Sequence, residues 1–256
     1  MRNIAVILAG GTGSRMYKGT PGSDTSRVAL LPKQFMPLDD STVIEHAVHA
    51  FDSHPAISEV AIVIHPLWRS RMEAIAAAAS WRKLTHIIDG GDERYLSSVN
   101  AISTYSDASD ADQINLLLHD AARPWVSAAV IDRVVAALRH HKAVGVAIHS
   151  TDTVWAVQQS LNAKGITLRG EEGTVVISKI PERQTMWRAQ TPQAFRLPVI
   201  REAYRRALQD PRLRVTDDCS VVHRYLPDVT IAVVEGDEQN RKITFAEDIA
   251  LANHHS

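Results

Sequence analysis

The fold is decided between residues 4 and 15, by the run Ile4-Ala5-Val6-Ile7-Leu8-Ala9-Gly10-Gly11-Thr12-Gly13-Ser14-Arg15. The segment from Ile4 to Leu8 is continuously apolar, which predicts a strand that is buried on both faces, as in a parallel sheet. The glycines that follow allow backbone N–H groups to approach a phosphate or a base closely. Since ligands of open α/β sheets bind beyond the carboxyl ends of the strands, this loop is the first candidate binding site.

Further apolar runs alternate with helical patterns along the chain. The predicted strands cover residues 60–64, 86–88, 114–118, 144–148 and 230–234, and the predicted helices cover residues 43–51, 72–79 and a segment that begins after Ser127. Capping boxes are predicted at Thr42 with Glu45 and at Thr244 with Glu247. The alternation predicts an α/β, Rossmann-like fold, in which helices flank both faces of a mostly parallel sheet.

The segment from Thr151 to Arg183 interrupts this alternation. Residues 153–157 and 174–178 have the polar–apolar alternation of strands, and the sequence Gly170-Glu171-Glu172-Gly173 between them is typical of a turn. We therefore predict a protruding β-arm over residues 151–183, with Trp155 and Trp187 packed at the arm. Because an isolated pair of strands is marginally stable in water, we expect the arm to pack on a second copy of the chain in a homodimer.

The composition restricts the class of protein. The 256 residues, 45% of them hydrophobic, fit one domain over residues 1–256 with a sizeable core. A net charge of -1 gives no strong field for nucleic acid or an anionic membrane, so neither is an expected partner. The one cysteine, Cys219, fits a reducing cytoplasm, and we predict that it is a small buried apolar residue. The sequence has neither an apolar run of membrane-spanning length nor the pattern of a signal peptide.

Two familiar phosphate-binding motifs do not fit the glycine loop. The dinucleotide fingerprint requires a third glycine three positions after Gly13, where Met16 stands. The P-loop requires Gly-Lys followed by Ser or Thr, beginning five residues after its first glycine, and no glycine of the loop meets this requirement. The loop therefore remains either a phosphate site of another kind or a tight turn between strand and helix.

Two cations flank the glycine loop. Arg15 ends it, and Lys33 follows in Pro32-Lys33-Gln34-Phe35, before the first predicted helix. Arginine offers a planar fork and lysine a point charge, and both are suited to phosphate. On charge alone, the two side chains are equally compatible with solvated positions on the surface.

Further motifs follow the loop in a specific order. They are Asp89-Gly90-Gly91-Asp92-Glu93-Arg94, His119-Asp120-Ala121-Ala122-Arg123-Pro124, Asp152-Thr153, Pro181-Glu182-Arg183, Ala189-Gln190-Thr191-Pro192-Gln193, Thr216-Asp217-Asp218 and Lys242-Ile243-Thr244. Together with the loop and Pro32–Phe35, they resemble the cytidylyltransferases of the 2-C-methyl-D-erythritol 4-phosphate and ribitol 5-phosphate type. The resemblance extends from Ile4 to about Ala252.

This resemblance implies CTP as donor, a polyol phosphate as acceptor, a divalent cation, usually Mg²⁺, and a homodimer built through the β-arm. The residues implied to act in catalysis are Arg15, Lys33, Arg183 and Lys242. Those implied to bind the nucleotide are Leu8, Ala9, Gly10, Gly11, Gly91, Asp92, Arg94, Ser97, Asp120 and Ala121. Those implied to bind the acceptor are Thr153, Arg183, Thr191 and Lys242, some of them from the partner subunit. Asp120 is also the candidate metal ligand, and its alternative role is that of a cap or turn residue.

The implied reaction is attack of a phosphate monoester oxygen on the α-phosphorus of CTP. Because this nucleophile is already anionic near neutral pH, no general base is required, and catalysis depends on positioning and charge neutralisation. His119 stands at a strand end, and we expect it to be structural. The segment from Tyr17 to Leu31 is longer than the corresponding loop of the family. This insertion is either a lid over the site or a disordered loop without a role.

The sequence leaves alternatives for the identity of the acceptor and for the class of protein. The motifs at 89–94 and 119–124 favour 2-C-methyl-D-erythritol 4-phosphate, which we prefer, whereas those at 8–13 and 180–183 favour ribitol 5-phosphate. A non-catalytic nucleotide-binding protein of the same fold is a second alternative, against which the joint presence of Arg15, Lys33, Arg183 and Lys242 speaks. A dinucleotide-dependent oxidoreductase is a third, which Met16 disfavours.

Overall fold

The computed structural model describes residues 1–11, 31–159, 175–244 and 248. The strands in this part of the chain are β1 (Arg2–Ala9), β2 (Pro37–Leu38), β3 (Ser41–Thr42), β4 (Glu59–Ile64), β5 (Leu84–Asp89), β6 (Ile114–Asp120), β7 (Ala143–His149), β8 (Ala156–Gln159), β9 (Val175–Lys179), β10 (Trp187–Arg196) and β11 (Ile231–Glu235). The α-helices are α1 (Val43–Asp52), α2 (Arg69–Ala78), α3 (Arg94–Ser106), α4 (Ala128–Ala137), α5 (Leu197–Ala207) and α6 (Asp218–Tyr225).

Seven of these strands form the central sheet, in the order β11-β7-β10-β6-β1-β4-β5. β1 pairs in parallel with β4 and β6, as its continuously buried residues predict. β10 is antiparallel to both β6 and β7, and the other pairs are parallel. The predicted α/β, Rossmann-like fold is therefore confirmed, with one antiparallel strand inserted between two halves.

In the described part of the chain, three helices cover each face of the sheet. Ala5, Ile7 and Ala9 of β1 point into the core cluster that includes residues of α1, α2 and α4. Ile4, Val6 and Leu8 point to the opposite cluster, which includes residues of α3, α5 and α6. Since side chains alternate along a strand, burial of both sets requires helices on both faces.

The predicted helix at residues 43–51 is confirmed as α1, and its capping box between Thr42 and Glu45 is present. The other predicted capping box involves Glu247, which lies outside the described residues. Thr244 instead donates its backbone N–H to the Asp248 carboxylate at 2.7 Å. β10, α3 and α5 were not predicted, although they supply much of the structure around the carboxyl ends of the strands.

The β-arm is a separate two-stranded sheet, in which β8 and β9 are antiparallel. Val157 stands opposite Ile177, and both side chains are about half exposed, at 55% and 48%. The predicted turn at residues 170–173 lies outside the described residues. Among the described helices, none has the length and apolar character that a membrane span requires.

Candidate active site

The predicted nucleotide residues converge where β1, β5 and α3 meet. A Cβ atom on Gly10 would lie 2.8 Å from Oγ of Ser97, and one on Gly90 would lie 3.0 Å from the same atom. Oγ of Ser97 also accepts a hydrogen bond from the Gly91 N–H at 3.3 Å. Glycine is therefore required at position 10 by the close approach of α3, since a larger side chain would displace Ser97. Leu8, Ala9 and Ala121 are buried beside this point, whereas Asp92 is exposed and Gly11 is accessible.

The backbone of the loop is fixed by Gln34, one residue after the candidate catalytic lysine. Nε2 of Gln34 donates to the carbonyl oxygens of Ala9 at 2.8 Å and Gly11 at 3.2 Å. The ammonium group of Lys33 donates to the carbonyl oxygen of Ile243 at 3.0 Å. Thus Lys33 lies beside the segment that carries Lys242, although 209 residues separate them in the sequence. Arg15 and the rest of the glycine loop after Gly11 lie outside the described residues.

Asp120 is the centre of a cluster of charges at the carboxyl end of β6. Nε of Arg94 donates to its Oδ1 at 3.0 Å, and Nζ of Lys242 donates to its Oδ2 at 2.6 Å. Arg94 begins α3, so three distant segments of chain meet at this one carboxylate. Burial by itself raises the pKa of Asp120, but the adjacent charges of Arg94 and Lys242 outweigh it and hold the pKa well below its ordinary value. The carboxylate is therefore ionised throughout the neutral range.

Arg94 has a second carboxylate partner, which sequence reasoning did not identify as a site residue. Its Nη1 donates to Oδ2 of Asp218 at 2.8 Å, and the Tyr204 hydroxyl donates to the other oxygen of Asp218 at 2.7 Å. The side chain of Asp218 is fully buried. Thr216-Asp217-Asp218 was a recognised motif, but the sequence does not indicate which arginine, 124 residues away, is the partner of Asp218.

His119 and Thr191 form a buried chain of hydrogen bonds behind Asp120. The backbone N–H of Asp120 donates to the Thr191 hydroxyl at 3.1 Å, and that hydroxyl lies 3.0 Å from Nδ1 of His119. Nε2 of His119 lies 2.9 Å from the carbonyl oxygen of Arg123, which can only accept. Neutral His119 with its proton on Nε2 satisfies all of these contacts. Burial lowers the pKa of His119 to about 4, and this supports the expected structural role.

We expect the His119→Gln variant to lose part of the pH dependence of stability. The pKa of His119 is about 4 in the fold and about 6.5 in the unfolded chain, so between these values the unfolded chain binds more protons. Neutral His119 therefore contributes about 3 kcal/mol to the free energy of unfolding. The whole contribution is present above about pH 6.5, and it is lost as the pH falls towards 4. Urea unfolding between pH 7.5 and 4.5 measures it, with His140→Gln, at an exposed position, as the matched control. An equally steep decline in the His119→Gln variant would contradict the assignment.

The arm residues Thr153 and Arg183 are both exposed at the same edge of the sheet. Thr153 follows the end of β7, and Arg183 begins a 3-10 turn, Arg183–Thr185, just before β10. Because β10 is antiparallel to β6, its beginning lies at the carboxyl end of β6, where Asp120 stands. The ring of Trp187 packs on His149 at the base of the arm, with 3.6 Å between ring centroids. Among the described residues, neither Thr153 nor Arg183 forms a hydrogen bond or an ion pair with Arg94, Asp120 or Lys242.

Thr191, which was predicted to bind the acceptor, is buried. Its hydroxyl accepts a hydrogen bond from the backbone N–H of Asp120. Cys219 is half-buried rather than fully buried, with its Sγ 3.3 Å from the position of a Cβ on Gly145. Burial, more than any other cause, raises the pKa of the Cys219 thiol, and this fits an unreactive apolar role.

A metal site built from protein side chains alone is absent from the described ranges. No three His, Cys, Asp or Glu side chains there lie close enough together to hold a metal ion.

The chain is similar to known proteins in both sequence and structure. Residues 3–255 match the family model described as IspD: 2-C-methyl-D-erythritol 4-phosphate cytidylyltransferase. A 2-C-methyl-D-erythritol 4-phosphate cytidylyltransferase of Thermobifida fusca (strain YX) is 41% identical over 251 residues, which are 98% of this chain and 92% of that protein. The bifunctional ribulose 5-phosphate reductase/CDP-ribitol pyrophosphorylase Bcs1 of Haemophilus influenzae is 34% identical over 252 residues, 98% of this chain but 48% of that protein.

Solved structures are similar in fold. The 4-diphosphocytidyl-2C-methyl-D-erythritol synthase from Anaerococcus prevotii DSM 20548 has a TM-score of 0.76 at 24% identity, over 99% of this chain and 97% of that one. The 2-C-methyl-D-erythritol 4-phosphate cytidylyltransferase of Francisella tularensis has a TM-score of 0.73, also at 24% identity, over the whole of both chains. The central sheet and its flanking helices are thus shared with these proteins.

Proposed function

The chain belongs to the 2-C-methyl-D-erythritol 4-phosphate cytidylyltransferase family, and we propose that its site transfers CMP from CTP to 2-C-methyl-D-erythritol 4-phosphate, with release of pyrophosphate, in the isoprenoid precursor pathway. The observation that carries the proposal is the cluster at the end of β6. There Asp120 joins Arg94 and Lys242, and Lys33 lies on the neighbouring backbone at Ile243. Cations at this point suit a reaction that brings two phosphate anions together.

The acceptor phosphate oxygen attacks the α-phosphorus of CTP, the bond from that phosphorus to the bridging oxygen breaks, and pyrophosphate leaves. The nucleophile is anionic, so the site does not have to remove a proton from it. The site has to position the two substrates and neutralise the charge of their phosphates. His119 agrees with this, because both of its ring nitrogens are engaged in buried hydrogen bonds and its pKa is lowered by burial. We assign the stabilisation of negative charge to Lys33 and Lys242, with Arg15, of the loop, and Arg183, of the arm.

For the nucleotide, we propose a pocket at the carboxyl ends of β1 and β5. Its wall is the close contact of Gly10 with Ser97, and its floor is the buried backbone of Leu8 and Ala9. The N–H of Gly11 and the exposed edge of Gly91 and Asp92 would lie towards the base and ribose. Arg94, Asp120 and Ala121 would flank the ribose and phosphates.

We infer that Mg²⁺ accompanies the CTP and binds at Asp120. One carboxylate together with substrate phosphates is a usual arrangement for Mg²⁺. The ionised Asp120 fits this role, because a carboxylate has about four lone-pair directions and two of them accept from Arg94 and Lys242. The cation would supply charge neutralisation and orientation of the phosphates.

For the acceptor phosphate, we propose Thr153, Arg183 and Lys242, with Thr191 supporting the site through the Asp120 amide. Thr153 and Arg183 are exposed on the arm, so they are available to a site on a second subunit. The sequence of this chain is 41% identical to the 2-C-methyl-D-erythritol 4-phosphate enzyme and 34% identical to the CDP-ribitol pyrophosphorylase. We therefore propose 2-C-methyl-D-erythritol 4-phosphate as the acceptor and keep ribitol 5-phosphate as the second candidate.

The proposed function is tested by pyrophosphate release from CTP in the presence of each polyol phosphate in turn. We expect release with 2-C-methyl-D-erythritol 4-phosphate, and weaker or no release with ribitol 5-phosphate. The opposite preference would support the second candidate. If neither acceptor gives release although CTP binds, the chain is a nucleotide-binding protein without this activity.

We also propose that the chain is a homodimer joined through the β-arm. The arm exposes a group of large apolar side chains: Val154, Trp155, Val157, Val175, Val176, Ile177 and Ile180. Exposed apolar surfaces of this kind are typical of interaction sites, and a partner arm would cover them. The proposal places residues 1–256 in one cytoplasmic nucleotidyltransferase domain, with residues 151–183 as its arm.

We expect the Ile177→Asp variant to be monomeric, since a charge opposite Val157, in the middle of β9, would be buried by dimerisation without a partner. Size-exclusion chromatography with light scattering measures the mass. Leu67→Asp is the matched control, because Leu67 is 83% exposed and follows β4, which β1 and β6 separate from the strands that flank the arm. A dimer of unchanged stability for the Ile177→Asp variant would argue against the arm as the interface.

A further inference from the structure

We propose that Asp218 is a positioning residue of this site, which holds the Arg94 guanidinium in the orientation that Asp120 and the nucleotide require. The inference rests on the proposed function, and it extends the site by a residue that does not touch the substrate. It is carried by a continuous set of contacts from Tyr204 through Asp218 and Arg94 to Asp120.

Arg94 is held at two points of its planar group. Nη1 meets Asp218 at 2.8 Å, and Nε meets Asp120 at 3.0 Å. Two fixed contacts determine the plane and the rotation of a guanidinium, whereas one contact leaves it free to turn. Nη2 makes no hydrogen bond to any residue in the described part of the chain, and the side chain is 31% exposed. The group is therefore oriented with one edge available to a ligand.

The burial of Asp218 is not explained by the needs of its own helix. The cap of α6 is Asp217, whose side chain accepts from the Ser220 N–H at 2.8 Å. Asp218 follows the cap and is fully buried, where an ionised carboxylate is costly unless it is paired and hydrogen-bonded. It is paired with Arg94 and fixed by the Tyr204 hydroxyl, which also explains the buried position of that hydroxyl on α5.

Asp218 also supplies a second carboxylate to the cluster of charges at the site. Asp120 alone would be shared between the two cations Arg94 and Lys242, each of which uses one of its oxygens. Asp218 gives Arg94 a carboxylate partner that Lys242 does not share. When the nucleotide binds, Lys242 can exchange Asp120 for a phosphate, and Asp120 can exchange Lys242 for the cation that accompanies the nucleotide. Arg94 remains in place during this exchange, because Asp218 still holds it. Removal of Asp218 would leave Arg94 dependent on Asp120, the very group that has to respond to the ligand.

We therefore expect Asp218→Asn to weaken CTP binding by about tenfold, by analogy with the lower end of the loss caused by removing a partner that orients a metal ligand. Calorimetric titration with CTP and Mg²⁺ gives the Kd, and pyrophosphate release gives KM and kcat. We expect the KM for CTP to rise more than the KM for the acceptor. Tyr204→Phe, which removes one hydrogen bond and leaves the charge, is the milder variant, and we expect a smaller loss in the same direction.

Asp217→Asn is the matched control, because it removes the same charge one residue earlier, at the cap of α6. Asp217 contacts Ser220 and Gln193 rather than Arg94. A second measurement places Asp218→Asn in an Arg94→Ala background, where a residue that acts through Arg94 has no further effect on CTP affinity. A merely structural role would instead give additive losses.

The outcomes are separable. Loss of CTP affinity in Asp218→Asn but not in Asp217→Asn, together with no further loss in the Arg94→Ala background, supports the inference. Unchanged CTP affinity and turnover in a folded Asp218→Asn or Tyr204→Phe variant overturns it, as do equal losses in the Asp217 and Asp218 variants. Absence of pyrophosphate release from the unaltered protein contradicts the proposed function alone, since the CTP titration still tests Asp218.

Discussion

The Lys33→Ala variant is expected to lose about 10²–10³ in kcat, while its Kd for CTP changes only modestly. The ammonium group donates to the carbonyl oxygen of Ile243, on the same segment as Lys242, which reaches Asp120. Phosphate oxygens carry a negative charge, which the carbonyl oxygen of Ile243 lacks, so we expect the ammonium group of Lys33 to bind phosphate when the nucleotide is present. Its contribution is greatest when charge develops in the transition state, and kcat therefore reports it better than affinity does.

The matched control for this variant is Lys83→Ala. Lys83 also donates to a backbone carbonyl, that of His54 at 2.6 Å, but it precedes β5 and so lies at the opposite edge of the sheet. We expect near-normal kcat for Lys83→Ala and partial recovery for Lys33→Arg, which retains the positive charge. Single-turnover release of pyrophosphate separates the chemical step from product release. Near-normal turnover of Lys33→Ala would remove Lys33 from the proposed mechanism.

The Arg183→Ala variant is expected to raise the KM for the acceptor by about 10- to 100-fold, the effect of losing one or two charge-assisted hydrogen bonds to phosphate. The KM for CTP is expected to change far less. Steady-state kinetics with each substrate varied in turn measures both. Arg188→Ala is the matched control, because Arg188 is an exposed arginine five residues further on that pairs with Glu238 at 2.7 Å. An unchanged acceptor KM in Arg183→Ala would exclude Arg183 from the site.

A mixing experiment tells whether Arg183 serves its own subunit or the partner. With the acceptor well below the KM of the Arg183→Ala variant, subunits carrying Lys33→Ala and subunits carrying Arg183→Ala are each poorly active alone. If the arm acts across the interface, a mixed dimer contains one site with both changes and one with neither. Random reassortment then restores about a quarter of the activity of the unaltered protein. If Arg183 acts within its own subunit, no activity returns.

The sequence predicted the elements whose pattern is local. The apolar run in β1 predicted a strand that is buried on both faces, and helical spacing predicted α1, because burial and periodicity are both visible within ten residues. The ordered motifs predicted the family, and the loops that carry them meet at one edge of the sheet, since the carboxyl ends of parallel strands coincide there.

β10 was not predicted, for a physical reason. Its buried residues include the polar side chains of Gln190, Thr191 and Gln193, which do not form an apolar run. They are buried only because partners elsewhere in the chain satisfy them. Asn240 donates to Oε1 of Gln190, the backbone N–H of Asp120 donates to the Thr191 hydroxyl, and Gln193 donates to the Asp217 carboxylate. α3 was missed similarly, because its polar residues include the site residues Arg94 and Ser97.

The sequence by itself determined that this chain has an α/β fold and belongs among the cytidylyltransferases, because strand periodicity and the ordered motifs are properties of short segments. Only the tertiary structure decided that Asp120 is shared by Arg94 and Lys242, that Lys33 lies against Ile243, and that Asp218 anchors Arg94. These contacts join residues that are 26 to 210 positions apart. Burial and pairing of a charged group depend on which segments the fold brings together, and no local pattern specifies that.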